Sequence, residues 1–405
     1  MRLRFVLPLT GLALLLDAGC SSSSVGAAQD DAGSTSPPDD LHLPDSLALK
    51  DGRHVDSKEA WPERRAEILE MFRSQVYGRS PGLPERLDFD VVQEDASAIG
   101  GTATLKRVAI KSTQAGRTHS FELLLFTPNG TGKRSGVFLL LSNKPPSATD
   151  PTRATKNEFW PVESVLARGY AIAAIQNDDL APDDKGTFAN GVIRLFEGDG
   201  PAARPADAWK ALGAWSWGAS RAMDYLVTDP LVDPARVAVI GHSRGGKAAL
   251  WAGAQDERFS LTISNESGCG GAALSRRPIG ETVDLVNAFY PHWFADNFRA
   301  YDGNEAALPI DQHMLLALLA PRAAVVGSAS EDTWSDPEGE YLGLAYASSV
   351  YALWGFGPVP LGGMPAVGAS VFIAPRGYHL RAGTHALTQV DWDRYVDVAD
   401  QVWPR

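Results

Sequence analysis

The sequence has 405 residues, of which 44% are hydrophobic and 21% charged, and these proportions are those of an ordinary globular protein. They exclude a disordered or fibrous chain. The net charge of −12 at pH 7 argues against nucleic acid or an acidic membrane surface as a partner. The length suits one large α/β domain or two small domains.

Residues 1–16 carry two arginines and an apolar run that is too short to span a bilayer comfortably, which is typical of a secretory signal peptide. Residues 17–20 read DAGC and resemble a lipoprotein processing box, with Cys20 as the lipidated residue, although Asp17 stands where an aliphatic residue is usual. We therefore expect residues 1–20 to be a signal peptide and the protein to be exported, attached to a membrane only through this lipid. The alternative is a secreted protein with an incidental cysteine.

Residues 21–40 lack large apolar side chains and cannot repay the entropy of ordering, so residues 21–45 are predicted to be a flexible linker. Beyond the linker there is no internal repeat and no second change of composition. We therefore predict one catalytic domain over residues 46–405, acting as a monomer. If Cys20 is lipidated, Cys269 has no intramolecular partner, and the domain must be stable without disulfides.

The first half of the domain alternates between helical and extended patterns. Apolar spacing from Trp61 predicts a helix that ends at Gly78. A second helix is predicted over residues 162–169, and the expected strands cover residues 87–94, 101–113, 117–128, 135–143 and 170–177. The Gly-, Asp- and Pro-rich stretch up to residue 204 is a candidate wall of the active site, because loops at strand ends carry function.

The residues at 237–246, VAVIGHSRGG, follow a predicted helix over 205–227 and precede the helix-forming KAALWAGA. A strand, a sharp turn with the pattern G-x-S-x-G and a helix together indicate a nucleophile elbow with Ser243 at its tip. Gly241 and Gly245 allow the neighbouring backbones to approach, while Ser243 adopts a strained conformation. The alternative is a glycine-rich turn without catalytic meaning.

Beyond the elbow, strands are predicted over residues 261–267, 322–332 and 369–379, with helices over 313–320 and 341–355 between them. Strands that alternate with helices form a mainly parallel sheet covered by helices on both faces. The expected fold is therefore the α/β-hydrolase fold.

In this fold the catalytic residues follow the chain order serine, acid, histidine, each on a loop after a strand. The base must lie beyond the last strand, which leaves His379 and His385. His385 is favoured because it stands in a glycine-containing loop before a predicted helix. Two acids compete to orient it, Glu266 after the strand that follows the elbow and Asp332 after the next one, and the choice between them stays open.

Several motifs together resemble the glucuronoyl esterases of carbohydrate esterase family 15: GHSRGGKAAL, NESGCGGAALSRR, PHWF, EDTWSDPEGE and GTHALTQVDW. The resemblance covers most of residues 60–400. It implies Ser243 as nucleophile, Arg244 as oxyanion-hole residue, Glu266 as acid and His385 as base. It also matches Asp332 to an alternative acid position that some bacterial members carry.

The resemblance further implies that Lys247, Glu281 and Trp334 contact a 4-O-methyl-glucuronoyl ring. A lysine and a carboxylate can bond sugar hydroxyls, and an indole offers a flat face for the ring. The expected reaction is hydrolysis of the ester between glucuronic acid on xylan and an alcohol of lignin, through an acyl-enzyme. No cofactor and no metal are expected, and Cys269 is expected to be buried and inert.

Two other functions stay open at this stage. Another carbohydrate esterase, such as an acetyl-xylan esterase, would leave Lys247 and Glu281 without a task. A catalytically inactive glycan-binding protein on the cell surface is disfavoured by the intact set of Ser243, Glu266 and His385.

Overall fold

A computed structural model describes residues 41–130, 132–199 and 203–403. The predicted signal peptide, the lipidated Cys20 and the linker up to residue 40 lie outside the described residues and stay predictions. Within the described ranges, no helix is long and apolar enough to cross a membrane.

A ten-stranded sheet runs through the described part of the chain, in the order β1-β2-β3-β5-β4-β6-β7-β8-β10-β9. The strands are β1 Arg86–Ala98, β2 Ala103–Gln114, β3 Arg117–Pro128, β4 Ser135–Ser142, β5 Ala171–Gln176, β6 Val232–His242, β7 Leu261–Asn265, β8 Ala323–Ala329, β9 Ser370–Ile373 and β10 Arg376–Arg381. The adjacent pairs from β5 to β10 are parallel, and those among β1, β2, β3 and β5 and between β10 and β9 are antiparallel. The mainly parallel centre confirms the predicted fold class.

The helices of the described part are α1 Trp61–Phe72, α2 Val162–Ala167, α3 Asn177–Leu180, α4 Val192–Glu197, α5 Ala211–Leu226, α6 Arg244–Gln255, α7 Val283–Phe289, α8 Gln312–Ala317, α9 Pro337–Tyr346, α10 Ser348–Tyr351 and α11 Gln389–Val402. They form a layer on each face of the sheet. Alternate residues of β4 show the two layers: Val137 and Leu139 share a core with α1, α5, α6 and α8, whereas Phe138 and Leu140 share one with α2 and α11. A strand buried on both faces needs the continuous apolar run that β4 has.

Three sequence expectations about secondary structure are wrong in detail. The stretch over 369–379 is not one strand, because β9 and β10 pair antiparallel around Pro375, whose nitrogen has no hydrogen to donate to a ladder. The helix expected over 205–227 begins only at Ala211. The stretch up to residue 204, expected to be irregular, contains α3 and α4.

The topology brings the chemistry-bearing residues to one edge of the sheet. Ser243 follows β6, Glu266 follows β7, Asp332 comes after β8 and His385 comes after β10. These four strands are neighbours and run parallel, so their carboxyl ends lie side by side. Residues distant in sequence therefore share one site.

Candidate active site

The turn at Ser243 has the geometry of a strained elbow. Ser243 has φ 57° and ψ −129°, an unfavourable conformation for a residue with a side chain. Its N–H donates to the carbonyl oxygen of Asn265 at 2.8 Å. A Cβ on Gly241 would lie 2.0 Å from the Gly245 carbonyl oxygen, and one on Gly245 would lie 2.8 Å from that of Leu141. Glycine is therefore required on both sides of the serine.

His385 lies next to this elbow. Its ring centroid is 4.4 Å from that of His242, the residue before Ser243. Its Nδ1 lies 2.6 Å from Asp332 Oδ2 and 3.2 Å from Glu266 Oε2. Both acids thus face the same ring nitrogen, which leaves Nε2 on the opposite side of the ring as the atom that can act as a base.

The two acids perturb the titration of the histidine. Burial lowers the pKa of His385, but the hydrogen bonds to Asp332 and Glu266 outweigh it and raise the pKa to about 9. Burial also opposes ionisation of Asp332, yet the bond to His385 holds the pKa of this carboxyl below its usual value. For Glu266 the effect of burial prevails over those of His385 and Arg381, and its pKa rises to about 7. Asp332 is accordingly the better partner for an imidazolium.

The Glu266 carboxylate is held by Arg381, a residue that belongs to none of the sequence motifs. Arg381 Nη2 lies 2.5 Å from Glu266 Oε1, and the N–H of Ala386 donates to Oε2 at 2.9 Å. Arg381 also contacts Asp391, to which the alternative base His379 is bonded through Nε2 at 2.7 Å. His379 is thus buried in an ion-pair network, whereas His385 is partly exposed.

Arg244 is the first residue of α6, where backbone N–H groups lack partners within the helix. Its side chain is about one-third exposed, and its Nε contacts the Asp183 carboxylate. The guanidinium also lies 6.0 Å from the ring centroid of Trp293. The backbone N–H of Arg244 thus directly follows the nucleophile in the chain, and its guanidinium contacts Asp183 and Trp293.

The three residues expected to contact substrate differ in their accessibility. Lys247 is buried, and its Nζ lies 2.5 Å from Glu281 Oε2 while it donates to the carbonyl oxygens of Ser267 at 2.7 Å and Cys269 at 2.6 Å. Glu281 is also buried, and its N–H donates to the carbonyl oxygen of Trp334 at 2.8 Å. The Trp334 side chain, in contrast, is 43% exposed and available for a sugar ring.

Among the described residues, His242, Glu266 and His385 bring ligand-type atoms within 4.8 Å of one another, the one grouping there that could hold a metal. His385 and Glu266 contact each other, and they also contact Asp332 and Arg381, respectively. His242 Nδ1 lies 2.7 Å from Asn265 Oδ1, while its buried Nε2 has no hydrogen-bond partner among the described residues. The contacts of His385 with two carboxylates fit a base that is supported by acids. Cys269 is buried as expected, and burial raises the pKa of its thiol.

The structure adds Glu340, the last residue of the EDTWSDPEGE motif, for which the sequence suggested no role. Its buried carboxyl group accepts hydrogen bonds from the N–H groups of Ser267 at 2.6 Å and Gly268 at 3.1 Å, and from the Ser328 hydroxyl at 2.6 Å. Burial raises its pKa to about 8. The Glu340 carboxyl group thus supports the turn directly after Glu266. Glu266 itself has a positive φ of 48°.

Known proteins resemble the chain over most of its length. The family model for fungal glucuronyl esterases matches residues 156–355. A carbohydrate esterase from an unknown prokaryotic organism is 39% identical, and the match spans 88% of this chain and 89% of the relative. A 4-O-methyl-glucuronoyl methylesterase from Phanerochaete chrysosporium is 32% identical over 77% of this chain and 62% of its own length.

A solved structure is similar over nearly the whole of its chain. The glucuronoyl esterase from Solibacter usitatus superposes with a TM-score of 0.84 at 41% sequence identity. The match covers 89% of this chain and 98% of that one. The likeness is therefore not confined to the motifs around the site.

Proposed function

This chain belongs to the glucuronoyl esterases of carbohydrate esterase family 15, and we propose that Ser243, His385 and the acids Asp332 and Glu266 perform its reaction. It is a carboxylic ester hydrolase that acts on esters of glucuronic acid. The proposed substrate is the ester that links a 4-O-methyl-glucuronoyl group of glucuronoxylan to an alcohol of lignin.

The proposed roles follow from the positions of the side chains. Neutral Nε2 of His385 takes the hydroxyl proton as Ser243 Oγ attacks the ester carbonyl, and the acids stabilise the imidazolium that forms. The N–H and guanidinium of Arg244 stabilise the oxyanion. The imidazolium then gives its proton to the departing alcohol, and a water molecule hydrolyses the acyl-enzyme by the same steps.

For the sugar, we propose that Trp334 stacks on the ring and that Glu281 accepts from its hydroxyls. We propose that Lys247 also donates to the sugar. Its ammonium group has three protons, and each already has an acceptor in the protein, so the sugar must share one of these protons with a protein oxygen. Its direct effect is to hold Glu281 in place through their buried ion pair.

The observation that carries the proposal is the contact of His385 Nδ1 with Asp332 and Glu266 beside the strained Ser243 turn. The test compares hydrolysis of the benzyl ester of glucuronic acid with hydrolysis of an acetylated sugar. We expect kcat/KM to be much higher for the glucuronate ester than for the acetylated sugar. A preference for the acetylated sugar would favour the acetyl-xylan esterase alternative, and absence of turnover on both would favour a binding protein.

We also propose that the protein is exported and that Cys20 carries a lipid that tethers it to a membrane. The support is the sequence of residues 1–20 alone. Replacement of Cys20 by serine should move the enzyme from the membrane fraction to the soluble fraction, whereas an unchanged distribution would contradict the lipid anchor.

A further inference from the structure

Asp183 lies beside the site and belongs to none of the motifs noted in the sequence. It stands in the loop between α3 and α4, after β5. Its Oδ1 accepts hydrogen bonds from His292 Nε2 at 2.8 Å and from Trp293 Nε1 at 2.7 Å. Its other oxygen, Oδ2, contacts Nε of Arg244. One carboxylate thus joins three separate parts of the chain.

The two donors that hold Asp183 are themselves fixed. The carbonyl oxygens of His292 and Trp293 accept the N–H groups of Ala211 and Leu212 at 3.0 and 3.4 Å, which ties this segment to the start of α5. The Trp293 ring also stacks on Tyr290, with centroids 3.8 Å apart and planes inclined by 3°. Because Asp183 Oδ1 bonds to a segment that is itself held by hydrogen bonds and ring stacking, Oδ2 has a defined position toward Arg244.

Asp183 presents a negative charge to the arginine. Its side chain is 18% exposed. Burial opposes ionisation, but the hydrogen bonds from His292 and Trp293 and the charge of Arg244 outweigh it and hold the pKa of Asp183 below its usual value. The carboxylate is therefore ionised at neutral pH.

A second contact holds another nitrogen of the Arg244 guanidinium. Arg244 Nη2 donates to the carbonyl oxygen of Asn143 at 3.4 Å, just after β4. A guanidinium has five N–H donors, so these contacts leave others for an oxyanion. An arginine side chain that is free to rotate would lose conformational entropy when it engages the oxyanion, and a clamped one does not.

We propose that Asp183 is a positioning residue that clamps the guanidinium of Arg244 over the oxyanion site of Ser243. This inference rests on the proposed function, in which Arg244 stabilises the oxyanion. The clamp acts in the transition state, where the oxyanion exists, and so it affects kcat more than KM. An ion pair that withheld Arg244 from the reaction would have the opposite effect, because its loss would raise kcat.

The test measures kcat and KM on the benzyl ester of glucuronic acid for Asp183→Asn, Arg244→Gln and the double variant. Asparagine keeps an oxygen for His292 and Trp293 but removes the charge. The matched control is Asp184→Asn, because Asp184 is exposed and, within the described part of the chain, its carboxylate accepts hydrogen bonds only from Gly186 and Thr187 of its own loop. The melting temperature of each variant is recorded alongside.

We expect Asp183→Asn to lower kcat about tenfold with less than about a twofold change in KM, since a fully removed oxyanion donor costs about 10² or more. Asp184→Asn should match the wild type. In the double variant, Asp183→Asn should add no further loss to that of Arg244→Gln, because its effect passes through the arginine.

Three results would overturn the inference. The first is an unchanged or raised kcat in Asp183→Asn. The second is a loss of kcat in Asp184→Asn equal to that in Asp183→Asn. The third is a double variant whose loss of kcat equals the product of the two single losses, which is expected if Asp183 has only a general structural role. In each case an active wild type leaves the proposed function in place. If Arg244→Gln itself keeps full kcat, the oxyanion role in the proposed function fails together with the clamp.

Discussion

Asp332 Oδ2 lies 2.6 Å from His385 Nδ1, a distance typical of a charge-assisted hydrogen bond. The competing carboxylate of Glu266 is 3.2 Å from the same nitrogen and shares its oxygens with Arg381 and the N–H of Ala386. The acid with fewer other partners is thus the closer one. We therefore propose that Asp332 orients the histidine, with Glu266 as support.

The first prediction concerns this pair of acids. Asp332→Ala should lower kcat by about 10², less than the roughly 10⁴ known for loss of the only triad acid, because Glu266 still faces Nδ1. Glu266→Gln should lower kcat by only about tenfold, and the double variant by more than the product of the two losses. A larger kcat loss for Glu266→Gln than for Asp332→Ala would reverse the assignment.

Stability separates the same two acids. Glu266→Gln removes the charge that faces the buried Arg381. The free energy of unfolding of this variant should therefore be about 3 kcal/mol lower than that of the wild type. Asp332→Ala should change it less, because Asp332 has no arginine or lysine partner among the described residues. Urea unfolding of both variants measures this difference. Equal stabilities would show that Arg381 is satisfied by Asp391 alone.

The pH dependence of kcat/KM follows from the raised pKa of His385. Below that pKa, His385 is protonated and cannot accept the proton of Ser243, so kcat/KM should rise with pH up to about 9. Removing Asp332 takes away a bond that favours the imidazolium. The rising limb of Asp332→Ala should therefore lie at lower pH. The profile is measured with spontaneous ester hydrolysis subtracted, and an unmoved limb would mean that another group titrates.

Lys247→Met tests the buried ion pair. The change preserves volume but leaves Glu281 and two carbonyl oxygens without their cation, so the free energy of unfolding should fall by about 3 kcal/mol. KM for a glucuronate ester should rise while an aryl acetate is hydrolysed as before, because the sugar contacts are lost and the acyl-transfer groups are not. Equal losses on both substrates would remove Lys247 from sugar binding.

Trp334→Ala should weaken substrate binding without the loss of stability expected for Lys247→Met. The side chain is 43% exposed, so its loss should leave the melting temperature nearly unchanged. KM for a glucuronate ester should nevertheless rise, because the flat face offered to the ring is gone. An unchanged KM would make Trp334 a surface residue without a role in binding.

Local patterns in the sequence specify only part of the candidate site. The G-x-S-x-G pattern predicted the strand-turn-helix geometry that the structure has at Ser243, and the chain order of the fold left His379 and His385 as candidate bases. The predicted boundaries of the central strands lie close to the observed ones. The reason is that a short uninterrupted apolar run, as in β4, is typical of a strand buried on both faces. The antiparallel pair of β9 and β10 was missed because its turn lies inside a continuous extended pattern.

Arg381, Asp183 and Glu340 could not be found in this way. Each acts through partners far away in sequence: Arg381 bonds Glu266, Asp183 contacts Arg244, and Glu340 bonds Ser267. No spacing rule links such pairs, because the sheet topology alone brings them together. The same is true of the distance ranking that places Asp332 nearer to His385 than Glu266.

The most direct test of the whole account is turnover of the benzyl ester of glucuronic acid by the wild type and by Ser243→Ala. The substitution removes one hydroxyl group from the elbow and should leave the fold intact, which circular dichroism and the melting temperature would verify. We predict ready hydrolysis by the wild type and none above background by the folded variant. Retained turnover in folded Ser243→Ala would contradict the nucleophilic role of Ser243 and the mechanism built on it.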